Sequence, residues 1–185
     1  MIGYAFCGSF CTAAESMKIL ALLSANIPLC PIVSANFASI DTRFGRARDL
    51  VARIEEICGR RAVGTIAEAE PLGPAEPLDA LIIAPCTGNT LAKIAHGITD
   101  GAVTMAAKAH LRADRPLIIA LATNDAMSAN LENIARLSLR KNVYLVPMKQ
   151  DDPIKKPYSL VADFSLIPEA LNAAFEGKQL RPMFL

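Results

Sequence analysis

Residues 81–90, which read LIIAPCTGNT, decide the fold of this chain. The first four are apolar and are typical of a strand that is buried on both faces, and Pro85 ends the run. After the short polar loop, apolar residues recur three or four positions apart, which predicts a helix over residues 91–98 that ends near Gly97. A buried strand followed by a loop and a helix is the repeating unit of a parallel α/β sheet.

The same unit recurs along the chain. Apolar runs predict further strands at residues 2–7, 29–34, 62–66, 117–122 and 143–146. Helical spacing predicts further helices at residues 12–24, 42–59, 102–111, 129–139 and 167–175, with Thr12 and Gly59 as caps. Residues 68–77 hold three prolines and a glycine and, like residues 150–157, are predicted to be a loop. Right-handed crossovers then give one domain over residues 1–185, a three-layer sandwich with a doubly wound parallel sheet.

The composition limits the class of protein. The 19 basic residues nearly balance the 18 acidic ones, and only 5% of residues are aromatic, which argues against nucleic acid as the main partner. No run of 18 apolar residues occurs, so we expect no membrane span. Five cysteines at irregular spacing favour a reduced, cytoplasmic protein over a disulfide framework. With 52% hydrophobic residues, the apolar surplus predicts a homo-oligomer.

Four short polar segments follow predicted strands, at residues 8–12, 34–36, 85–90 and 123–125. Ligands of doubly wound sheets bind beyond the carboxyl ends of the strands, and helix N-termini offer free N–H groups to a phosphate. Each segment alone could be only a cap or a turn, but together they predict a phosphorylated ligand. Neither dinucleotide nor P-loop glycine patterns occur, which favours a mononucleotide. The predicted cofactor-binding residues are Gly8, Ser9, Thr12, Ser34, Asn36, Pro85, Thr87, Gly88, Asn89, Thr90, Thr123 and Asn124.

Reactive side chains are scarce. Cys7 and Cys11 lack the partners of a zinc site, so we predict no metal. Cys86 has no base beside it and is interpreted as a buried filler, while His96 and His110 fall inside predicted helices. The scarcity indicates that the ligand carries the difficult chemistry.

Arg43 and Arg46 are predicted to lie at the start of a helix, just past the second strand. An arginine there could clamp a carboxylate with two hydrogen bonds. The alternative is a structural ion pair for each arginine.

Residues 84–93 resemble the Pro-Ala-Ser-Ala-Asn-Thr signature of the flavin-dependent cysteine decarboxylase fold family. Gly8, Ser9, Ser34, Asn124 and Met127 follow in the order of that family. Motifs along the whole chain are further similar to the family of dipicolinate synthase B subunits. These motifs lie at residues 41–45, 69–74, 87–90, 105–108, 122–125, 155–157 and 176–180.

The resemblance implies a Rossmann-like flavoprotein fold, FMN as cofactor and a homo-oligomer that is a trimer or a multiple of one. It also implies an NADP-binding A subunit as partner, and an oxidoreductase role in sporulation. The implied reaction is the oxidation of a dihydro- or tetrahydrodipicolinate precursor to dipicolinate (pyridine-2,6-dicarboxylate). Asn89 and Arg43 are then the catalytic candidates, and Arg43, Arg46 and Lys93 would bind the two carboxylates of the substrate.

Two alternatives stay open. The chain could be a non-catalytic mononucleotide-binding subunit that stabilises the A subunit, or an FMN-dependent cysteine decarboxylase. Decarboxylases of the wider family carry a histidine ahead of the strand that leads into the signature, whereas residues 66–79 contain none. Their Pro-Ala-Met-Asn-x-x-Met element appears at residues 121–127 without its proline and first methionine. Both departures disfavour the decarboxylase.

Overall fold

A seven-stranded sheet lies at the centre of residues 1–73 and 75–185, which the computed structural model describes. Parallel pairing gives the order β2-β1-β3-β4-β5. The short strand β7 pairs antiparallel with the end of β4, and β6 pairs antiparallel with β7. The strands are β1 Ile2–Phe6, β2 Leu29–Val33, β3 Ala80–Cys86, β4 Leu117–Thr123, β5 Val143–Leu145, β6 Met148–Lys149 and β7 Leu160–Ala162.

Helices cover both faces of the sheet. They are α1 Ala13–Ser24, α2 Ala35–Ser39, α3 Ala47–Cys58, α4 Ile66–Ala69, α5 Gly88–His96, α6 Ala102–Arg112, α7 Leu131–Ser138 and α8 Ile167–Phe175. One core joins α1, α3 and α8 to one face, and a second core joins α4, α5, α6 and α7 to the other. Alternate side chains of β1 enter the two cores: Tyr4 and Phe6 enter the first, and Ala5 enters the second. The predicted doubly wound α/β sandwich is confirmed.

The chain reverses its direction of winding between β1 and β3. The helix after β1 packs on one face of the sheet and the helix after β3 packs on the other. A crevice therefore opens between the carboxyl ends of these two strands, which is where ligands of such sheets bind. Among the described residues no helix is both long and apolar enough to span a bilayer.

Two predictions between β2 and β3 are wrong. Residues 62–66 form no strand, because only Val63 pairs with β2, through a single bridge to Ile32. The predicted loop at 68–77 begins instead as helix α4, which a capping box between Thr65 and Glu68 starts, and continues as a 3₁₀ turn over Glu70–Leu72. Proline fits this turn because Pro71 lies at its start, where no N–H bond is needed. Pro74, in the same segment, lies outside the described residues.

The predicted helix at 42–59 begins later than expected. Residues 42–45 form a tight turn closed by hydrogen bonds between Thr42 and Gly45, and α3 begins only at Ala47. The Asp41 carboxylate accepts from the Ala47 N–H at 2.8 Å and so satisfies the first turn. Arg43 therefore precedes the helix, contrary to the prediction. Gly59 ends α3 in the left-handed conformation, as predicted for its C-cap.

The sheet is mixed, whereas the sequence predicted a wholly parallel one. Strands β6 and β7 have two and three residues, too few for a periodicity to be recognised. The five-residue helix α2 was missed for the same reason. These missed elements matter because β6 and β7 carry the far wall of the site described below.

Candidate functional site

Two cavities open at the carboxyl edge of the sheet and share Gly8 and Thr87 in their walls. The small cavity, of about 240 Å³, is formed by the loops after β1, β2 and β3 together with the first turn of α6. The large cleft, of about 840 Å³, lies between the loops after β1 and β4, the turn before α3, and residues 149–164. The predicted ligand edge thus has two compartments that meet at one glycine.

All the predicted cofactor-binding residues except Pro85 and Gly88 line one or both of these cavities. The small cavity is lined by Gly8, Ser34, Asn36, Thr87, Asn89 and Thr90. The large cleft takes Gly8, Ser9, Thr12, Thr87, Thr123 and Asn124. Pro85 is instead buried in β3. Gly88 is buried beneath the loop after β4, where a β-carbon would lie 2.5 Å from Asn130 Nδ2.

The loop after β1 is ordered by its own hydroxyl groups. Thr12 Oγ1 donates to the carbonyl oxygen of Ser9 at 3.0 Å and to Ser9 Oγ at 3.2 Å. It is the N-cap residue of α1, but, contrary to the prediction, its side chain accepts no hydrogen bond from the first turn of that helix. The Phe10 ring stacks on Phe37 at 5.9 Å and so ties this loop to α2.

The loop after β3 is joined to the first loop through a buried thiol. Thr87 Oγ1 caps α5 by accepting from the Thr90 N–H at 3.2 Å, and Thr90 Oγ1 donates to Cys7 Sγ at 3.4 Å. Burial raises the pKa of Cys7 to about 11 and raises the pKa of Cys86 well above its ordinary value. Both thiols are therefore neutral near pH 7 and serve as packing and hydrogen-bonding groups rather than nucleophiles.

Three exposed amides face these cavities. Asn36 and Asn89 line the small cavity, and Asn124 lines the large cleft. An amide offers both donors and an acceptor, which suits a heteroaromatic ring or a phosphoryl group. At Gly8 a β-carbon would make only ordinary contacts, 3.6 Å from the Phe10 ring, so the protein itself does not demand a glycine there. A bare backbone where the cavities meet allows a phosphorylated ligand to approach closely, and such a ligand fits this edge.

The cations of the two cavities differ in their partners. In the small cavity, Lys93 Nζ lies 2.7 Å from Asp100 Oδ2, and this hydrogen bond lowers the pKa of the Asp100 carboxyl. In the large cleft, the Arg43 guanidinium lies 4.8 Å from the centre of the Phe44 ring. Neither Arg43 nor Lys149, on the opposite wall, forms an ion pair with a described residue.

The three predicted substrate-binding residues do not lie together: Lys93 lines the small cavity and Arg43 the large cleft. Arg46 is exposed and lines neither cavity, because it lies at the N-cap of α3, beyond the turn that carries Arg43. Two lysines that line the large cleft, Lys149 and Lys156, were not predicted from the sequence. Lys156 pairs with Asp151, and this hydrogen bond raises the pKa of Lys156. The motif at residues 155–157 is the sequence signal that could have indicated this wall.

Neither histidine lines the small cavity or the large cleft. His96 lies at the end of α5 and hydrogen-bonds to α7, and the buried His110 lies 2.8 Å from the carbonyl oxygen of Pro116. Within the described part of the chain, no group of three or more His, Cys, Asp or Glu side chains is arranged to hold a metal ion.

Comparison with known proteins shows the family to which the chain belongs. The family model named Flavoprotein matches residues 16–164. The B subunit of dipicolinate synthase from Bacillus subtilis (strain 168) is 42% identical over 185 residues, which is 100% of this chain and 92% of that protein. The crystal structure of the dipicolinate synthase B subunit from Bacillus halodurans C superposes with a TM-score of 0.89 at 38% identity, covering 100% of this chain and 95% of the other.

A more distant structure shares the fold. The FMN-dependent cysteine decarboxylase SpaF matches with a TM-score of 0.69 at 24% identity, over 95% of each chain. The resemblance inferred from the motifs is confirmed by the full-length match. The chain belongs to the flavoprotein family and, within it, to the family of dipicolinate synthase B subunits.

Proposed function

We propose that this chain acts with an NADP-binding A subunit to oxidise a dihydro- or tetrahydrodipicolinate precursor to pyridine-2,6-dicarboxylate. The observation that carries the proposal is the pair of cations, Arg43 and Lys149, on the walls of the large cleft. A planar dicarboxylate loses hydration when it enters a cleft, and cations without other partners offset that loss. Each hydride equivalent removed from the ring reduces one NADP⁺ held by the A subunit and the accompanying proton is released, so a tetrahydro precursor consumes twice as much NADP⁺ as a dihydro precursor.

FMN is the proposed cofactor of this chain. The residues that would hold it are Gly8, Ser34, Asn36, Thr87 and Asn89 around the small cavity, and Ser9, Thr12, Thr123 and Asn124 in the large cleft. When bound, a flavin supplies the ability to accept and pass on a hydride equivalent. Arg43 and Lys149 bind and orient the carboxylates, and the exposed Asn89 amide hydrogen-bonds to the ring system.

The site supports the synthase subunit better than a cysteine decarboxylase. The decarboxylase resemblance implies a histidine ahead of the strand that leads into the signature, and residues 66–79 contain none. Here His96 and His110 both lie away from the cavities. The non-catalytic alternative, a subunit that only stabilises its partner, differs from our proposal in one measurable respect, because substitution of Arg43 would then leave turnover unchanged.

The experiment that tests the proposal has two arms. The purified chain is titrated with FMN and followed by flavin fluorescence, and saturable binding is expected. The chain is then combined with the A subunit, precursor and NADP, and formation of the aromatic product is followed by ultraviolet absorbance. Absence of FMN binding together with a product rate that does not depend on this chain would overturn the proposal.

We also propose that the chain forms a homo-oligomer and contacts the A subunit through exposed apolar side chains. Leu139 and Ile154 are 88% and 90% exposed, which is unusual for large aliphatic residues. Light scattering at micromolar concentration is expected to give a multiple of the chain mass. A monomer under these conditions would contradict the homo-oligomer.

A further inference from the structure

A chain of side-chain hydrogen bonds runs from Asp125, in the loop after β4, to the surface of α7. Asn130 Nδ2 lies 2.9 Å from Asp125 Oδ2, and Asn133 Nδ2 lies 3.0 Å from Asn130 Oδ1. His96 Nε2 follows at 3.1 Å from Asn133 Oδ1, and Arg136 Nη1 at 3.2 Å from His96 Nδ1. The two asparagines are buried, so their polar atoms depend on these bonds.

The two ends of the chain, the carboxylate of Asp125 and the guanidinium of Arg136, which can only donate, require the same direction for every bond. An ionised Asp125 can only accept, so Asn130 must turn its NH₂ group toward it and its oxygen toward Asn133. Asn133 must then donate to Asn130 and accept from His96, which leaves the Nδ1 atom of His96 to accept from Arg136. All donors point toward Asp125, and hydrogen bonds aligned in this way strengthen one another.

The same carboxylate supports the first residue of α5. Asp125 Oδ1 accepts from Thr123 Oγ1 at 2.5 Å. A β-carbon on Gly88 would lie 2.6 Å from Thr123 Oγ1 and 2.8 Å from Asp125 Oδ1, so α5 begins in direct contact with this cluster. Because His96 is the last residue of α5, the hydrogen-bond chain joins the end of this helix to α7, while the first residue of the helix packs closely against Thr123, Asp125 and Asn130.

We propose that Asp125 is a positioning residue for the ligand site. It fixes α5, which with its N-cap Thr87 brings Thr87 and Asn89 to the cavities, against the end of β4 and the loop that follows it, where Thr123 and Asn124 lie. Asp125 itself lines neither cavity, so it acts through these residues. The inference rests on the proposed function, because its main measurement is the affinity for FMN.

The test uses a reciprocal exchange of side chains. Asp125→Asn leaves one acceptor oxygen, so the side chain can no longer accept from both Thr123 and Asn130, and its NH₂ group must face one of these donors. Asn130→Asp sets two carboxylates against each other. The double variant Asp125→Asn with Asn130→Asp restores an acceptor and a donor in exchanged positions, while Thr123 still donates to the remaining oxygen at position 125. Asp114→Asn is the matched control, because Asp114 also accepts from an asparagine amide, at 2.7 Å, in a turn that does not line the cavities.

FMN dissociation constants are measured for the full-length variants, each with its thermal midpoint. Both single variants are expected to bind FMN about tenfold more weakly, because a displaced binding group loses contacts that depend on its position. The FMN dissociation constant of the double variant is expected to lie within about threefold of the wild-type value. The control Asp114→Asn is expected to bind FMN as tightly as the wild type does. If the single variants do not fold, restored affinity in the double variant still supports the proposal.

Two results would overturn the inference. One is wild-type FMN affinity in a folded Asp125→Asn protein. The other is a double variant that regains its thermal midpoint without regaining affinity, since this describes a merely structural role. If the wild type binds no FMN, the cofactor proposal fails separately. In that case the amide hydrogen exchange rates of Gly88 and Asn89 test the positioning role of Asp125. Exchange rates in Asp125→Asn equal to those of the wild type would contradict that role.

Discussion

The small cavity and the large cleft share Gly8 and Thr87, yet their cationic side chains differ in ion pairing. In the small cavity the ammonium of Lys93 is neutralised by Asp100 at 2.7 Å. In the large cleft Arg43 and Lys149 lack such partners among the described residues. A cation that is already paired gains little from an arriving anion, whereas an unpaired one gains a full charge-assisted hydrogen bond. This difference in pairing favours the large cleft as the binding place of the dicarboxylate that we propose as substrate.

The two compartments also differ in their origin. The small cavity is built by loops that follow parallel strands, with short side chains that bond to each other. The far wall of the large cleft comes from the antiparallel β6 and β7 and the charged segment between them. A mononucleotide site is common to such sheets, while the added wall is where a particular substrate can be selected.

The largest effect is expected from the unpaired cations. Arg43→Ala and Lys149→Ala should each lower kcat/KM of the reconstituted synthase by about ten- to a hundredfold, because each removes a charge-assisted contact to a carboxylate. Steady-state kinetics with the A subunit measures this, and FMN affinity should remain unchanged.

Arg46→Ala is the matched control for that experiment. Arg46 is an exposed arginine three residues from Arg43 that lines neither cavity, so wild-type kinetics are expected. Equal losses in Arg43→Ala and Arg46→Ala would show that general charge, rather than the cleft wall, accounts for the effect.

A second prediction asks which compartment takes the phosphate of FMN. Ser34 lines the small cavity and Ser9 the large cleft. Ser34→Asp should weaken FMN binding about tenfold by charge repulsion, while aspartate remains a good N-cap for α2 and preserves the fold. Ser9→Asp should have the smaller effect in the same fluorescence titration. The reverse order would move the phosphate to the large cleft.

Gly8, in the loop after β1, and Gly88, within the signature loop, provide a third, smaller contrast. Gly8→Ala should weaken FMN binding several-fold and leave unfolding within about 0.5 kcal/mol of the wild type, because its β-carbon meets only ordinary contacts. Gly88→Ala should instead lower the free energy of unfolding by about 1–3 kcal/mol through overpacking against the Asp125 cluster. Urea denaturation beside FMN titration separates the two. A destabilised Gly8→Ala would show that the fold needs this glycine.

The sequence predicted the small cavity better than the large cleft, for a physical reason. Strands such as β3 and β4 are buried on both faces, so their apolar runs indicate their position, and the loops at their ends follow from the topology. The wall around Lys149 depends on β6 and β7, strands of two and three residues. The pairing of β7 with β4 and of β6 with β7 is set by tertiary contacts and leaves no local pattern.

The ion pair between Lys93 and Asp100 could not be predicted from the sequence either. Lys93 and Asp100 are seven residues apart on either side of a helix end, and only the fold brings them together. The sequence therefore predicted Lys93 as a substrate-binding residue without indicating its ion pair. Gly88 was predicted to touch the cofactor because it lies within the signature. Its contacts with Thr123 and Asn130 depend on how α5 docks, which no local spacing encodes.

The smallest effect is expected from Asp100→Asn, and it tests the charge contrast directly. Removing this carboxylate leaves the Lys93 ammonium unpaired, so the small cavity gains one net positive charge and resembles the large cleft in this respect. FMN should then bind about two- to threefold more tightly at low salt, since exposed ion pairs are weak and their loss releases only a modest attraction. The gain should vanish at high salt, where exposed charges are screened. Glu176→Gln, which breaks the Lys178 pair away from both cavities, should leave affinity unchanged. Weaker FMN binding in Asp100→Asn would mean that the carboxylate itself contacts the ligand, and the charge contrast between the two compartments would no longer hold.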